Sequence, residues 1–194
     1  MRPFIFQKAS ALQQALTRKN SSTQFIAGGS NLLDLMKKHI AQPSNLVDVT
    51  AVLSDKIEGK PAAIQIGAMV RNTIITTDST ILSKYPLLAK AILAGASPQI
   101  RNMASTAGNI LQRTRCPYFY DVSTPCNKRK PGSGCSAIKG ENRMNAIIGY
   151  SEQCVAVHPS DMCVALAALD ATINVTDKKG VKTTIPFKDF HRLR

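Results

Sequence analysis

The sequence predicts an α+β fold in which a small parallel βαβ lobe leads into a second, mixed α/β lobe. Three observations carry this. Short apolar runs alternate with amphipathic helical stretches as far as Val49. After Ser54 the pattern shifts to one alternating strand followed by apolar helical runs. Between Cys116 and Asn145 the chain is poor in aliphatics and rich in Pro, Gly, Lys, Arg and Cys, an uncommon length for a loop without a task. The 194 residues suffice for one large domain or two small ones with real cores.

The elements follow in chain order. Phe4-Ile5-Phe6 reads as a strand, and Ser10 is the expected N-cap of a helix through Leu16. Thr23 to Ala27 is a second strand, stopped by Gly28-Gly29. Asn31 to Lys38 is a helix with an apolar face of Leu32, Leu33, Leu35 and Met36, and Leu46 to Val49 returns as a strand. Further on, Ala63 to Ala68 alternates like a strand. Asp78-Ser79-Thr80 opens one helix, and Pro86 opens another that runs to Gly95. Val155 to Val157 reads as a strand, Pro159-Ser160-Asp161 starts a helix from Met162 to Leu169, and Thr172–Thr176 with Thr183–Pro186 closes as a hairpin about Lys179-Gly180. The expected division is a βαβ lobe over 1–54, a second lobe over 55–177 with a cysteine loop at 113–154, and the start of a C-terminal region over 178–194.

Composition excludes several classes. No run of 18 apolar residues exists, so a membrane-spanning helix is not expected. The N-terminus MRPFIFQKAS lacks an apolar stretch of signal-peptide length. The formal net charge of +13 favours acidic partners or a phosphate-bearing cofactor. The basic residues are spread out, their densest group being Arg113, Arg115, Lys128, Arg129, Lys130, Lys139 and Arg143, and no helix carries a Lys/Arg stripe. Nucleic acid is therefore not the expected partner.

Two segments have the chemistry of a phosphate grip. Phe25-Ile26-Ala27-Gly28-Gly29-Ser30-Asn31-Leu32-Leu33 is a strand, a tight turn and a helix start. Its glycines let backbone approach a ligand, and its amides suit a phosphate oxygen. Taken alone, the same residues also fit an ordinary βα turn, and the GxGxxG spacing is absent. Ala104-Ser105-Thr106-Ala107-Gly108-Asn109 is a second small-residue loop. Two such loops on separate elements can grip both sides of a pyrophosphate.

Five cysteines cannot all pair as disulfides. Four are spaced Cys116-x9-Cys126-x8-Cys135-x18-Cys154, and Cys163 lies in an apolar helix. Without a CxxC pair, spacing alone leaves scattered structural thiols and a metal site both open. Three of the four fall in the polar loop, where burial as small hydrophobes is not expected, and Lys128, Arg129, Lys130, Arg113 and Arg115 would stabilise thiolates. Tyr118-Phe119-Tyr120 is expected to pack, with stacking on a cofactor as the other option. His158 is expected to order the turn before Pro159 and His39 to end a helix, His191 lies near the terminus, and none of the three is expected to form a nucleophile–base pair with a cysteine.

FIAGGSNLLDLMK and RNMASTAGNILQ together resemble the FAD-binding subunits of the xanthine dehydrogenase and carbon monoxide dehydrogenase flavoprotein family. TRCPYFYD, PCNKRKPGSGC and CVAVHPSDM resemble the FAD subunit of bacterial periplasmic aldehyde oxidoreductases more closely still. The resemblance runs from Phe4 to about Phe190 and implies a CO dehydrogenase flavoprotein-like FAD-binding domain. It further implies that Ile26, Ala27, Gly28, Gly29, Ser30, Asn31, Leu32 and Leu33 hold the FAD pyrophosphate. Ser105, Thr106, Gly108 and Asn109 would form the second grip, and Asp161 a further contact; by itself Asp161 reads as a helix-start acid. The relatives that share the cysteine loop hold a 4Fe-4S cluster there, which implies Cys116, Cys126, Cys135 and Cys154 as ligands and Cys163 as core.

The implied function is electron transfer to FAD, and on to an external acceptor, within a heterotrimer with a molybdenum-cofactor large subunit and a 2Fe-2S small subunit. The implied substrate of that complex is an aldehyde or an aromatic compound. No catalytic residue is expected on this chain. Location would be cytoplasmic, or periplasmic if a signal-bearing partner carries the complex out. Family members continue into a C-terminal domain that this sequence, ending at Arg194, does not include, so the isolated chain is expected to hold FAD weakly. The competing reading is a basic Fe–S or zinc-stabilised module, binding nucleic acid or another protein, without flavin.

Overall fold

A computed structural model describes residues 1–191. The first lobe is a three-stranded parallel sheet of β1 (Ile5–Lys8), β2 (Thr23–Ile26) and β3 (Asn45–Asp48), in the order β1-β3-β2. Helices α1 (Leu12–Arg18) and α2 (Leu32–Lys37) make the two crossovers. Central β3 carries the near-continuous apolar burial of a parallel strand, with Leu46 and Val47 each 1% exposed. Both β1 and β2 pair with it in register, Phe6 and Gln24 both opposite Leu46. Because β1 lies at the edge, its residues remain exposed. Ser10 does not cap α1. Ala11 holds the cap position without a side-chain bond, while the Ser10 N–H and hydroxyl both donate to Gln14 Oε1.

The second lobe begins with a hairpin of β4 (Ile57–Lys60) and β5 (Ala63–Ile66), of which only β5 is legible as alternation. Five short helices follow: α3 (Asn72–Thr77), α4 (Ser79–Lys84), α5 (Pro86–Ala94), α6 (Pro98–Met103) and α7 (Thr106–Ile110). Asp78 caps α4 by accepting from Ile81 N, and Pro86 occupies the first turn of α5, as their residue types dictate. The segment expected to be a second loop is in fact α7. Ser105 caps it by accepting the Gly108 N–H at 3.2 Å, which commits that hydroxyl to the backbone.

Past α7 come α8 (Pro117–Tyr120), a 3-10 turn at Ser136–Ile138 and α9 (Asp161–Ala168). The antiparallel hairpin of β6 (Thr172–Thr176) and β7 (Lys182–Pro186) follows, then α10 (Phe187–Phe190). The strand expected at Val155–Val157 does not form. Val155 instead accepts one bond from Ala146 N at 2.8 Å, and no ladder follows because its neighbours are loop. The main core packs α5 on α9, with Ile75, Ile81, Leu88, Ile92, Met162 and Phe187 all below 7% exposed. No helix among the described residues is long and apolar enough to cross a membrane.

Candidate cofactor site

The two glycine-containing segments meet. A Cβ built on Gly28 would lie 1.8 Å from the Met103 carbonyl oxygen, so only glycine permits this approach of the β2–α2 turn to the α6–α7 junction. Gly29 follows with φ +72°, which turns the chain into α2. Phe25, Ala27 and Ala107 all pack against one buried cluster of Ala9, Ala15, Val47, Val49 and Met69. The Arg71 guanidinium staples the junction from behind, donating to Asn102 O at 3.1 Å and Met103 O at 2.8 Å.

Two clefts flank this contact. The larger, about 800 Å³ counting its open mouth, is lined by Ser30, Asn31, Asn72, Gly108, Asn109 and Asp161, with Tyr120 and Arg115 at the end nearest the cysteine loop. The smaller takes Ala27, Gly28 and Ser105, together with Thr50, Asp55 and Arg71. Of the residues expected at the site, Ile26, Gly29, Leu32, Leu33 and Thr106 line neither cleft. Thr106, for example, is buried and donates its hydroxyl to Val70 O at 3.0 Å.

Several lining groups are already tied to each other. Asn31 Oδ1 accepts the Arg113 N–H at 3.1 Å, which joins the glycine turn to the start of the cysteine loop. Asn109 Oδ1 accepts from Ser160 Oγ at 2.6 Å and from Gln112 Nε2 at 2.7 Å. Ser160 also caps α9 through Cys163 N, which places Asp161 on the cleft wall. The Asp161 carboxylate lies so close to Gly95 that a Cβ there would sit 2.4 Å from Oδ2. Asn72 is the residue that sequence inspection missed. It is 3% exposed, lines the larger cleft, and its Oδ1 has no hydrogen-bond partner. A buried acceptor without a donor costs on the order of 1–3 kcal/mol and fits a ligand hydroxyl or amide facing it. Only its cleft position reveals it, since an Asn in the first turn of a short helix is unremarkable.

The cysteine loop has its own core, contrary to the expectation that so polar a stretch leaves its thiols unpacked. Phe119, 1% exposed, sits with Cys116, Cys126, Ala137, Val155 and Leu35 of α2. Other apolar residues of the loop stay outside this core: Val122, Met144, Ile147 and Ile148 are exposed. Cys116 and Cys126 belong to this core and Cys135 packs against it, while Cys154 adjoins its member Val155. Cys126 and Cys135 form an antiparallel bridge, and Cys154 pairs with Ser151. The Asn145 amide approaches Cys116 Sγ at 3.9 Å, its neighbour Ala146 bonds Val155, and Asn127 Nδ2 donates to Gln153 O at 2.8 Å, closing the knot around Cys154. All are free thiols. Arg129 braces the knot by donating to the carbonyls of Tyr118, Phe119 and Thr124. Arg113 lies 5.0 Å above the Phe119 ring. Among the described residues these four sulfurs do not draw together within 4.8 Å as ligands of a single ion would, whereas donor atoms of His158, Cys163 and His191 do.

Tyr120 links the knot to the larger cleft. Its hydroxyl donates to Asp34 Oδ2 at 3.0 Å, and burial, reinforced by the Asp34 carboxylate, raises its pKa above the ordinary tyrosine value.

Residues 2–194 match the family described as the FAD binding domain in molybdopterin dehydrogenase, and the chain belongs to that family. It is 47% identical to the aldehyde oxidoreductase FAD-binding subunit PaoB of Escherichia coli K12, over 98% of this chain and 61% of that one. The carbon monoxide dehydrogenase medium chain of Hydrogenophaga pseudoflava is 32% identical over 49% of this chain and 33% of its own. Among solved structures, carbon monoxide dehydrogenase from the same organism superimposes with a TM-score of 0.67 at 20% identity, covering 97% of this chain and 52% of that one. Quinoline 2-oxidoreductase from Pseudomonas putida 86 does so at 0.67 and 22%, covering 97% and 52%. The fold is therefore that of the FAD-binding subunits of these oxidoreductases, and the chain spans about 61% of the length of its Escherichia coli relative.

Proposed function

We propose that this chain is the flavin- and cluster-carrying electron-transfer subunit of a molybdenum-dependent aldehyde oxidoreductase. In this reading it works beside a molybdenum-cofactor large subunit and a 2Fe-2S small subunit and passes electrons to an external acceptor. The observation that carries the flavin part is the Gly28–Met103 approach, which brings the 27–31 and 105–109 segments together where two clefts adjoin, each cleft lined by residues of both segments. FAD supplies the redox chemistry when bound, and the protein supplies binding and electrostatics. The Gly28–Asn31 backbone presents amides to the diphosphate, whereas the Thr106–Asn109 amides of α7 are bonded within the chain. Asn72 Oδ1 offers an acceptor to a flavin hydroxyl, and Asp161 closes the far wall.

A 4Fe-4S cluster on Cys116, Cys126, Cys135 and Cys154 is the second part. Four free thiols in one segment, three of them packed with Phe119 and the segment braced by Arg129 and Arg113, support it. Four thiolates without imidazole also favour iron–sulfur over catalytic zinc. The loop abuts α2 through Leu35 and the cleft through Tyr120, so an electron leaving the cysteines has a short protein-filled path to the flavin.

The test is anaerobic co-purification with the partner subunits, followed by iron, sulfide and flavin quantitation of wild type and Cys126→Ser. The proposal expects the variant to lose four irons per complex and keep its FAD. Equal iron in both would end the cluster assignment, and a complex without FAD would end the flavin one.

A further inference from the structure

We propose that His158, Cys163 and His191 form a second metal site, for zinc(II), separate from the four-cysteine loop. The three come from different segments: the coil before α9, the first turn of α9, and the residue after α10. Their donor atoms all lie within 4.8 Å of one another, so small side-chain shifts bring them onto one ion. Neither the flavin groove nor the cluster knot uses them.

The imidazoles are already held as metal-bound imidazoles usually are. His158 Nε2 lies 3.0 Å and His191 Nε2 2.9 Å from the same Ile110 carbonyl oxygen. A carbonyl only accepts, so the network assigns the N–H to Nε2 on both rings and leaves both Nδ1 lone pairs for a ligand. Anchoring of the second ring nitrogen on a backbone carbonyl fixes tautomer and orientation for coordination. The rings lie 4.4 Å apart, and His191 is steadied further by Phe187 and Phe190 at 5.4 and 5.1 Å. His158 Nδ1 meets only the Ser160 N–H, at a long 3.3 Å that an ion would replace.

Two imidazoles and one thiolate are a borderline-soft donor set that suits zinc, with the fourth position open to water because both histidines face solvent. On binding, the Cys163 thiol gives its proton to solvent as the sulfur–metal bond forms. The ion would clamp the chain beyond α10 onto the first turn of α9. That turn carries Ser160 and Asp161 on the wall of the larger cleft.

The test loads the purified complex with Zn²⁺, desalts it, and measures retained zinc and the zinc-edge X-ray absorption of wild type, Cys163→Ala, His191→Gln and Cys126→Ser. The expected result is one zinc per chain, bound by one sulfur at about 2.3 Å and two protein nitrogens at about 2.0–2.1 Å. The sulfur shell disappears in Cys163→Ala and persists in Cys126→Ser. In His191→Gln, affinity falls at least about tenfold. No retained zinc, two or more sulfurs per zinc, or a sulfur shell that survives Cys163→Ala would each overturn the proposal.

Discussion

At Gly28 one missing Cβ decides whether two segments far apart in sequence can share a ligand. The added methyl in Gly28→Ala would meet two backbone atoms of Met103, at 1.8 and 2.7 Å, and backbone cannot rotate away as a side chain can. The expected cost is about 1–3 kcal/mol of stability, together with separation of the two bends. Denaturant midpoints and FAD content measure both. An unchanged midpoint with full flavin occupancy would show that the approach is not required. Tyr120 offers a pH-dependent reading of the same neighbourhood. Its raised pKa means the folded state holds the phenolic proton more tightly than the unfolded chain does. Its contribution is therefore complete below the ordinary tyrosine value and is lost as pH rises through the higher, folded one. In an alkaline absorbance titration, wild type should show one phenolate ionising later than the rest, and Tyr120→Phe should lack that step.

At the scale of elements, the cysteine knot shows how a polar stretch becomes structured. Phe119 gathers the loop, and α8 with the 3-10 turn carries the backbone past it. Phe119→Ala removes the centre of that small core at an expected cost of about 3–5 kcal/mol. Proteolysis of the 113–154 segment should accelerate and iron should be lost, whereas the α5–α9 core should retain its hydrogen-exchange protection. Uniform loss of protection would instead mean that the knot and the main core unfold as one. The elements that were legible in sequence are those with strong local signals: the apolar β3, Asp78 before α4, Pro86 at the start of α5, and the β6–β7 hairpin. Helices α3, α6 and α7 were not legible, because each has only five or six residues and is held by tertiary caps and packing rather than by periodicity. The Val155 strand failed for the converse reason, since β-branched residues make a strand only when a partner strand is available.

Across the whole molecule, the first lobe supplies the glycine turn, the second supplies α7 and Asp161, and the cysteine knot is fastened to α2 through Leu35 and the Tyr120–Asp34 bond. The residues of the groove were mostly visible as small and polar types in two motifs. Their division between two clefts, the commitment of Ser105 and Thr106 to backbone bonds, and the unpartnered Asn72 were not, because each depends on contacts between segments distant in sequence. The His158–Cys163–His191 cluster was hidden for the same reason. The densest cations of the chain, Arg113, Arg115, Lys128, Arg129 and Lys130, lie in the cysteine loop, which suits a thiolate-bound cluster.

A crystal structure of the anaerobically purified complex, with anomalous data collected at the iron edge, decides where both cofactors sit. FAD diphosphate density is expected between residues 27–31 and 105–109, and an iron peak enclosed by the sulfurs of Cys116, Cys126, Cys135 and Cys154. A flavin diphosphate bound elsewhere, or four thiols with no iron between them, would contradict the proposed function.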